Sequence, residues 1–174
     1  DARHLRGFEL LAQATADENA RVRHLAATAL GRLGRTEAVP ALLALLNDNA
    51  DHDPVIRHAA SHALAQIGDL PSLVAAARHA SESVRLGAVL ALRRMERAEI
   101  EVFLGDSSGR VVSEAVHAIH DLPISGAMHS LAALIDRPIQ APAVLRRVLN
   151  ANYRWGTPES ANTLARFAAN TKIG

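Results

Sequence analysis

The sequence contains no cysteine, and aromatic residues make up only 3% of it. Without cysteine, this segment has no disulfide, no thiolate metal site, no cysteine nucleophile and no covalent haem-attachment motif. The scarcity of aromatic side chains predicts a core of alanine and leucine, which suits helices that approach one another closely.

The sequence also lacks a strong charge imbalance and a long apolar run. Its formal net charge is +1, which excludes the strong basic field expected of a dedicated nucleic-acid-binding protein. The longest apolar run, Ala38 to Leu46, is interrupted by Pro40 and is far shorter than the roughly 20 residues that span a membrane. The chain begins without Met and without a signal peptide, so we expect a fragment of a longer protein.

What the sequence does contain is a repeat. The segment ARVRHLAATALGRLG at 20–34 recurs as PVIRHAASHALAQIG at 54–68, with the same Arg-His pair and the same closing glycine. A valine or isoleucine near the start of each copy serves as the anchor of its repeat. The anchors lie 27 to 34 residues apart and are Val22, Ile56, Val84, Val111 and Val144.

Each copy has the pattern of an amphipathic helix. Apolar or small residues recur four, seven, eight and eleven positions after the anchors, and at about 100° per residue they form one stripe. A second apolar segment precedes each copy, as VPALLALL precedes the second one. The unit is therefore a pair of helices, and because a lone pair cannot bury its stripe, the pairs are expected to stack on their neighbours.

The second helices resemble HEAT repeats, in particular the short, alanine-rich type named after phycocyanobilin lyases, whose second helix reads roughly D-x-x-V-R-x-x-A-A-x-A-L-G-x-L-G. The first copy matches at Val22, Arg23, Ala26, Ala27, Ala29, Leu30, Gly31, Leu33 and Gly34, and the second at Ile56, Arg57, Ala59, Ala60, Ala63, Leu64 and Gly68. The third keeps Val84, Arg85, Ala88, Ala91 and Leu92. The fourth and fifth depart from the pattern, with Val112 and Leu145 in place of the arginine and Asn152 at a core position.

This resemblance covers nearly the whole chain and implies an all-α fold. The expected architecture is a right-handed α-solenoid of stacked antiparallel helix pairs, in a single domain over residues 1–174. Its repeats are expected at 1–34, 35–68, 69–96, 97–122, 123–156 and 157–174. The last would be one helix whose apolar positions Leu164, Phe167 and Ala168 lack a partner helix, which again indicates a longer parent chain.

Two loops invite a ligand-binding interpretation. Asp48, Asp51 and Asp53 could form a calcium loop, but the spaced glycine and the terminal glutamate of that motif are missing. Residues 105–109 are weakly similar to a phosphate loop, but the lysine and the preceding strand are missing. We predict plain turns at both places.

Positions two, six and nine residues after each anchor point away from the apolar stripe, and the resemblance places them on the concave face of the solenoid. They are His24, Thr28, His58, His62, Leu86, Leu90, Arg93, Ser113, His117, His120, Arg146, Asn150 and Tyr153. His58 and His62 could chelate a metal with His24 as a third ligand, but the sequence places no carboxylate beside them. We therefore predict a polar binding surface without a metal or another cofactor. Its residues are His24, His58, His62, Arg93, His117, His120 and Tyr153.

Arg23, Arg57 and Arg85 each follow directly after an anchor. They could form a phosphate track, but the family pattern favours a structural ladder. Each arginine is expected to bind acidic side chains or helix-end carbonyls in the turns between helices, and so to tie one repeat to the next. The expected partners are Asp17, Asp53 and Glu82.

The leading functional interpretation is a non-catalytic interaction or spacer scaffold within a larger protein. Its partner would be another protein or neighbouring domains of the same chain, with no nucleic acid, no membrane span and no small-molecule substrate. Trp155 falls at a core position, so we expect it to pack there rather than stack on a base. We expect no enzymatic activity from the segment itself.

The alternative is a module of an enzyme, either a chromophore-lyase-like subunit or part of a haem-containing dehydrogenase. Residues 146–167 resemble the helical-repeat part of large secreted or periplasmic bacterial proteins that combine a sugar-dehydrogenase-like propeller, HEAT repeats and a c-type haem domain. That resemblance implies a periplasmic or secreted protein, and otherwise the chain would be cytoplasmic. Deoxyhypusine hydroxylase is also HEAT-like, but the His-Glu dipeptides with which it binds iron are absent here.

Overall fold

The structure is a computed structural model that describes the backbone of residues 2–170 and the side chains of residues 6–170. Over this range the chain forms α-helices and short 3-10 helices, and no β-strand. The all-α class predicted from the sequence is therefore confirmed. The α-helices are α1 (Ala2–Ala14), α2 (Ala20–Leu33), α3 (Val39–Asn49), α4 (Pro54–Ile67), α5 (Leu70–Ala75), α6 (Glu82–Arg94), α7 (Gly109–Asp121), α8 (Ser125–Ala132), α9 (Pro142–Trp155) and α10 (Pro158–Asn170).

The described residues up to Met95 form one compact unit, and those from Glu96 onward form another. In the first unit, the second helix of each repeat packs on the next, α2 on α4 and α4 on α6, while α3 packs on both α4 and α6. The residues four and eight positions after each anchor are almost fully buried there. They are Ala26, Leu30, Ala60, Leu64, Ala88 and Leu92.

The helices α2 and α4 approach closely because small residues meet at their contact. A Cβ atom added to Gly31 would lie 2.7 Å from the Cα atom of Ala63 and 2.5 Å from Oε1 of Gln66. Such distances are too short for carbon atoms in contact, so only glycine fits here without a shift of the helices. Glycine at this position thus sets the spacing of the first two repeats.

Local signals in the sequence account for the ends of α2 and α4. Asn19 Oδ1 accepts a hydrogen bond from Arg21 N at 2.9 Å, and Asp53 Oδ1 accepts one from Val55 N at 2.8 Å, so both residues are N-caps. Pro54 opens α4 at a position where its missing N–H is harmless. Gly34 ends α2 with φ of 65°, the left-handed conformation that glycine adopts readily.

The second unit starts with a 3-10 helix, Ala98–Gly105, at the place of the first helix of the fourth repeat. Its apolar side chains Ile100 and Phe103 are nevertheless fully buried, and it packs against α7 and α8. The helices α7, α8 and α9 also pack on one another, and α10 packs on α9. The core position is thus filled as expected, but by a tighter helix.

The apolar stripe is shorter than the sequence pattern suggested. The residues eleven positions after the anchors were expected in the core, but Leu33 is 51% exposed and Trp155 42% exposed. Each is the last residue of its helix, where the helix runs past the neighbours that cover its middle. The prediction of a buried Trp155 was therefore wrong.

The anchor Val22 is 36% exposed, whereas Ile56 and Val84 are at most 1% exposed. Ile56 lies on α4, which is packed between α2 and α6. α2 is the second helix of the first repeat, and the part of the chain that the structure describes contains no second helix of an earlier repeat. The side of α2 that faces away from α4 is therefore not covered by such a helix.

Candidate functional site

On the second helices of the first unit, three of the predicted surface residues are histidines. His58 is exposed on α4, and His24 on α2 and His62 on α4 are half-buried. The rings of His58 and His62 stack, with 6.0 Å between their centroids and 19° between their planes. The spacing of one helical turn predicted this neighbourhood correctly.

His62 is in an environment that favours the neutral imidazole. Burial lowers its pKa, and the positive charge of Arg94 and the neighbouring His58 lower it further. Its Nδ1 atom is buried and has no hydrogen-bond partner among the described residues. The fold thus gains no hydrogen bond through that atom.

Arg94 was absent from the predicted surface, although a signal for it exists. Arg94 lies ten positions after its anchor Val84, one helical turn beyond Leu90, which holds a predicted surface position. The equivalent residues of the first two repeats are Arg32 and Gln66. All three are exposed at the ends of their helices. The residue ten positions after the anchor therefore extends the surface stripe formed by the residues two and six positions after it.

The third repeat contributes less to the surface than predicted. Leu86 is only 4% exposed, and Leu90 and Arg93 are half-buried. The reason is that α6 packs against α3 as well as α4, and Leu46 of α3 lies directly over Gly87. Leu86 therefore belongs to the core rather than to an accessible face.

The three arginines of the ladder all bind the turn that precedes their own helix. Arg23 Nη1 donates hydrogen bonds to the carbonyls of Asp17 and Glu18 at 2.8 and 2.9 Å. Arg85 Nη1 donates to the carbonyls of His79 and Ala80, both at 2.9 Å.

Arg57 forms an ion pair with Asp51 rather than with the expected Asp53, which caps α4 instead. In all three cases the bonded residues are five or six positions apart. These bonds therefore close a turn within one repeat, rather than joining one repeat to the next as expected.

In the second unit, His120 is held by charged neighbours that the sequence analysis did not bring together. Its Nδ1 atom lies 2.8 Å from Asp121 Oδ1, and Arg147 of α9 donates two hydrogen bonds to the same carboxylate, at 3.1 and 3.0 Å. These contacts hold the pKa of Asp121 far below its usual range. They link α7 to α9.

The Nε2 atom of His120 is buried and has no partner among the described residues. In a catalytic Asp–His pair, the second ring nitrogen of the histidine is open to the group that reacts. Here that nitrogen is covered, so the arrangement is suited to holding two helices together. The half-buried His117 and the 78% exposed Tyr153 are the more accessible of the residues predicted on α7 and α9.

A mostly apolar cleft of about 300 Å³ lies in the second unit, next to the loop between the 3-10 turn of residues 133–136 and α9. Its lining includes Leu104, Val112, Ile139, Val144 and Arg137. A cleft of this size and lining has room for a small apolar group. No local pattern in the sequence reveals this cleft, because its walls come from separate elements.

The described residues contain no group of three or more His, Asp or Glu side chains placed to hold a metal ion. Asp51 pairs with Arg57, and Asp53 caps α4, so the acidic loop before α4 is used by the fold. The turn at 105–109 is likewise a capping turn, in which the Ser108 side chain accepts from Val111 N at 3.5 Å. Along residues 2–170, no helix has the length and hydropathy that crossing a membrane requires.

Residues 8–93 match the family model described as HEAT repeats. This segment belongs to the HEAT-repeat family. The HEAT segment thus ends at α6, and the helices that match its pattern least well lie beyond it. Helical repeats of this kind are typical of protein-interaction scaffolds. No curated protein matches the chain.

Three solved structures illustrate the similarity of the backbone. A designed armadillo repeat protein in complex with the peptide (KR)4 has a TM-score of 0.46 and 20% identity, over 92% of this chain and 87% of that one. A computationally designed armadillo repeat protein for modular peptide recognition has a TM-score of 0.47 and 21% identity, over 92% and 88%. Human deoxyhypusine hydroxylase has a TM-score of 0.40 and 20% identity, over 95% and 79%. These TM-scores are too low to carry an argument about function.

Proposed function

We propose that this chain is a non-catalytic interaction module of a larger protein, and that it binds another polypeptide through its second helices. In the HEAT segment the contact residues are His24, His58, His62 and Arg93. In the second unit they are His117 and Tyr153, while His120 keeps the α7 surface in place.

The observation that carries this proposal is the environment of His58 and His62. The fold does not need an imidazole at either place, because the positions equivalent to His58 and His62 hold Leu86 and Leu90 in the third repeat. The exposed His58 nevertheless stacks on His62, beside Arg94. The ring of His58 is exposed, and Nδ1 of His62 is a buried polar atom that the fold leaves unpaired among the described residues; a polar pair that the packing does not use calls for another role, and we assign it to binding.

The absence of catalysis is part of the proposal. The His120–Asp121 pair has the geometry of an oriented histidine, but its Nε2 atom is covered. The neighbours of His62 that affect its charge are Arg94 and His58, which favour a neutral ring. Neither is a carboxylate that could orient His62 as a general base. A peptide ligand requires only shape and polar contacts, and the surface offers both.

The test is site-specific photo-crosslinking in the organism that makes the protein. A photoreactive amino acid replaces His58 in one variant and the exposed Ala44 of α3 in another. We expect position 58 to capture a defined protein, identified by mass spectrometry, and position 44 to capture it far less. The purified partner should then bind the wild type more tightly than the double variant His58→Ala/His62→Ala.

Equal capture at both positions would refute the proposal. So would a partner whose affinity is the same for the wild type and for the folded double variant. Circular dichroism of the double variant distinguishes lost contacts from lost structure.

A further inference from the structure

The charged residues of the HEAT segment are separated by element. Between residues 6 and 95, seven of the ten arginines lie in α2, α4 and α6, whereas eight of the nine acidic residues lie outside these helices. The exception is Glu82, the first residue of α6. The small net charge of the whole chain therefore conceals a cationic set of second helices and an acidic set of turns and first helices.

Three of those arginines, Arg23, Arg57 and Arg85, serve the fold by binding turns. Arg32 and Arg94 remain exposed at equivalent places in the last turns of α2 and α6. The negative end of a helix dipole accounts for a cation in the last turn. It does not account for the scarcity of carboxylates in the three helices, where Glu82 is the single one, because surface helices ordinarily mix both signs.

We infer that the face of α2, α4 and α6 binds an acidic segment of a polypeptide, with Arg32 and Arg94 as its carboxylate contacts. The inference rests on the proposed function and names the chemistry of the partner. α4 lies between the two arginine-bearing helices, since it packs on both, and presents His58 and His62. An arginine fork binds a carboxylate through two parallel hydrogen bonds, and a basic segment would meet like charge.

The state of His62 agrees with this chemistry. Burial disfavours its charged form most, and Arg94 of α6 and His58 of its own helix disfavour it further. α2 adds His24 and Arg32 to the same set of second helices. An acidic ligand would offset these positive charges. Binding should therefore raise the pKa of His62 and shift its imidazole signals in NMR spectra.

The test measures fluorescence anisotropy of the full chain with three labelled peptides. The first alternates glutamate and alanine, and the others replace glutamate by glutamine or by lysine. We expect the glutamate peptide to bind about tenfold more tightly than the glutamine peptide, because several exposed ion pairs add small contributions. Added salt should reduce this preference.

Two double variants of equal net charge locate the contact. Arg32→Gln/Arg94→Gln removes both proposed contacts and should abolish the preference for glutamate. Arg6→Gln/Arg78→Gln removes two exposed arginines outside the second helices and should leave it intact. Circular dichroism confirms that both variants fold.

Four results would overturn the inference: no binding of the glutamate peptide, equal binding of the glutamine peptide, equal loss in both double variants, or equally tight binding of single-stranded DNA. The last would indicate a general polyanion surface instead. The proposed function can survive any of them, because crosslinking at position 58 reports a partner whatever its charge. Failure of crosslinking together with loss of acidic-peptide binding would remove both.

Discussion

At the scale of single residues, Asn152 is a polar side chain at an apolar position of the repeat. Eight residues after each of the other anchors stands a leucine or isoleucine, whereas α9 has this asparagine, only 4% exposed. Its Nδ2 atom donates hydrogen bonds to the carbonyls of Ala132 and Val148, at 2.9 and 3.0 Å. The side chain thereby adds a donor to the carbonyl at which α8 passes into the 3-10 turn of residues 133–136.

Replacing Asn152 by alanine should lower the free energy of unfolding by about 1–3 kcal/mol, since a buried side chain loses its two hydrogen bonds. The matched control is Asn150→Ala on the exposed side of α9, for which we expect a change within about 0.5 kcal/mol. Urea unfolding followed by circular dichroism measures both. Equal effects of the two changes would show that the hydrogen bonds of Asn152 do not contribute.

His62 should titrate below the ordinary histidine value of 6.5, because burial, Arg94 and His58 all favour the neutral ring. An NMR titration of its ring protons measures this directly, with His62→Gln assigning the signal. An apparent pKa at or above 6.5 would contradict the packing of His62 against its cationic neighbours.

The sign of the effect on stability follows from the same shift. Between the lowered pKa of the folded state and 6.5, the unfolded chain binds more protons at His62 than the folded chain does. The contribution of His62 to stability is therefore fully present above 6.5 and is lost as the pH falls through this window. His62→Gln should lose that part of the pH dependence, as urea unfolding at several pH values can show.

At the scale of helices and turns, the arginine after the anchor acts on the turn before its helix. Arg85 is 8% exposed and donates to two carbonyls of that turn. Arg94, in the same helix, is exposed. One helix thus carries an arginine that holds the fold and one that is proposed to bind a partner.

Arg85→Ala should cost about 1.5–3 kcal/mol, the range for hydrogen bonds to a charged group. Arg94→Ala should cost no more than about 1 kcal/mol, the limit for a cation at an exposed helix end. Thermal and urea unfolding of the two variants give the comparison. If Arg94→Ala proved the more damaging change, the assignment of the two roles would have to be reversed.

The core leucines of the three HEAT repeats should be equivalent in energy as well as in position. Leu30, Leu64 and Leu92 are at most 1% exposed, so each Leu→Ala change should cost about 2–5 kcal/mol. Leu33 is 51% exposed, and Leu33→Ala should cost far less. Costs below about 1 kcal/mol at all three buried sites would mean that the repeats are aligned wrongly.

The sequence predicted the helices that carry strong local signals and did not predict the type of those that carry weak ones. The second helices carry an apolar period over four turns, N-caps such as Asn19 and Asp53, and the closing glycines Gly34 and Gly68. The 3-10 helix at 98–105 is too short for its apolar residues to distinguish one helical period from another. Its type is decided by packing on α7 and α8, which no local pattern records.

At the scale of the whole molecule, the sequence predicted the surface residues that share a helix and missed those that meet across helices. His58 and His62 follow from a spacing of four. The approach of Arg94 to His62, and the contact of Arg147 with Asp121, join different helices. The separation of the arginines in the second helices from the carboxylates, most of which lie in turns, was also hidden, because the net charge of +1 adds the two sets together.

The last prediction concerns metal binding by the whole chain. Tight zinc sites use three or four ligands, and among the described residues no such group of histidines and carboxylates exists. His58 and His62 can offer two nitrogens, next to the positive charge of Arg94, which repels a cation. We therefore expect calorimetric titration to give zinc binding weaker than about 1 μM.

We also expect the weak binding to change little in His58→Ala/His62→Ala, since other exposed histidines contribute to it. Stoichiometric zinc in the purified protein, or tight binding abolished by that double change, would make this face a metal site and would refute the purely polypeptide-binding role.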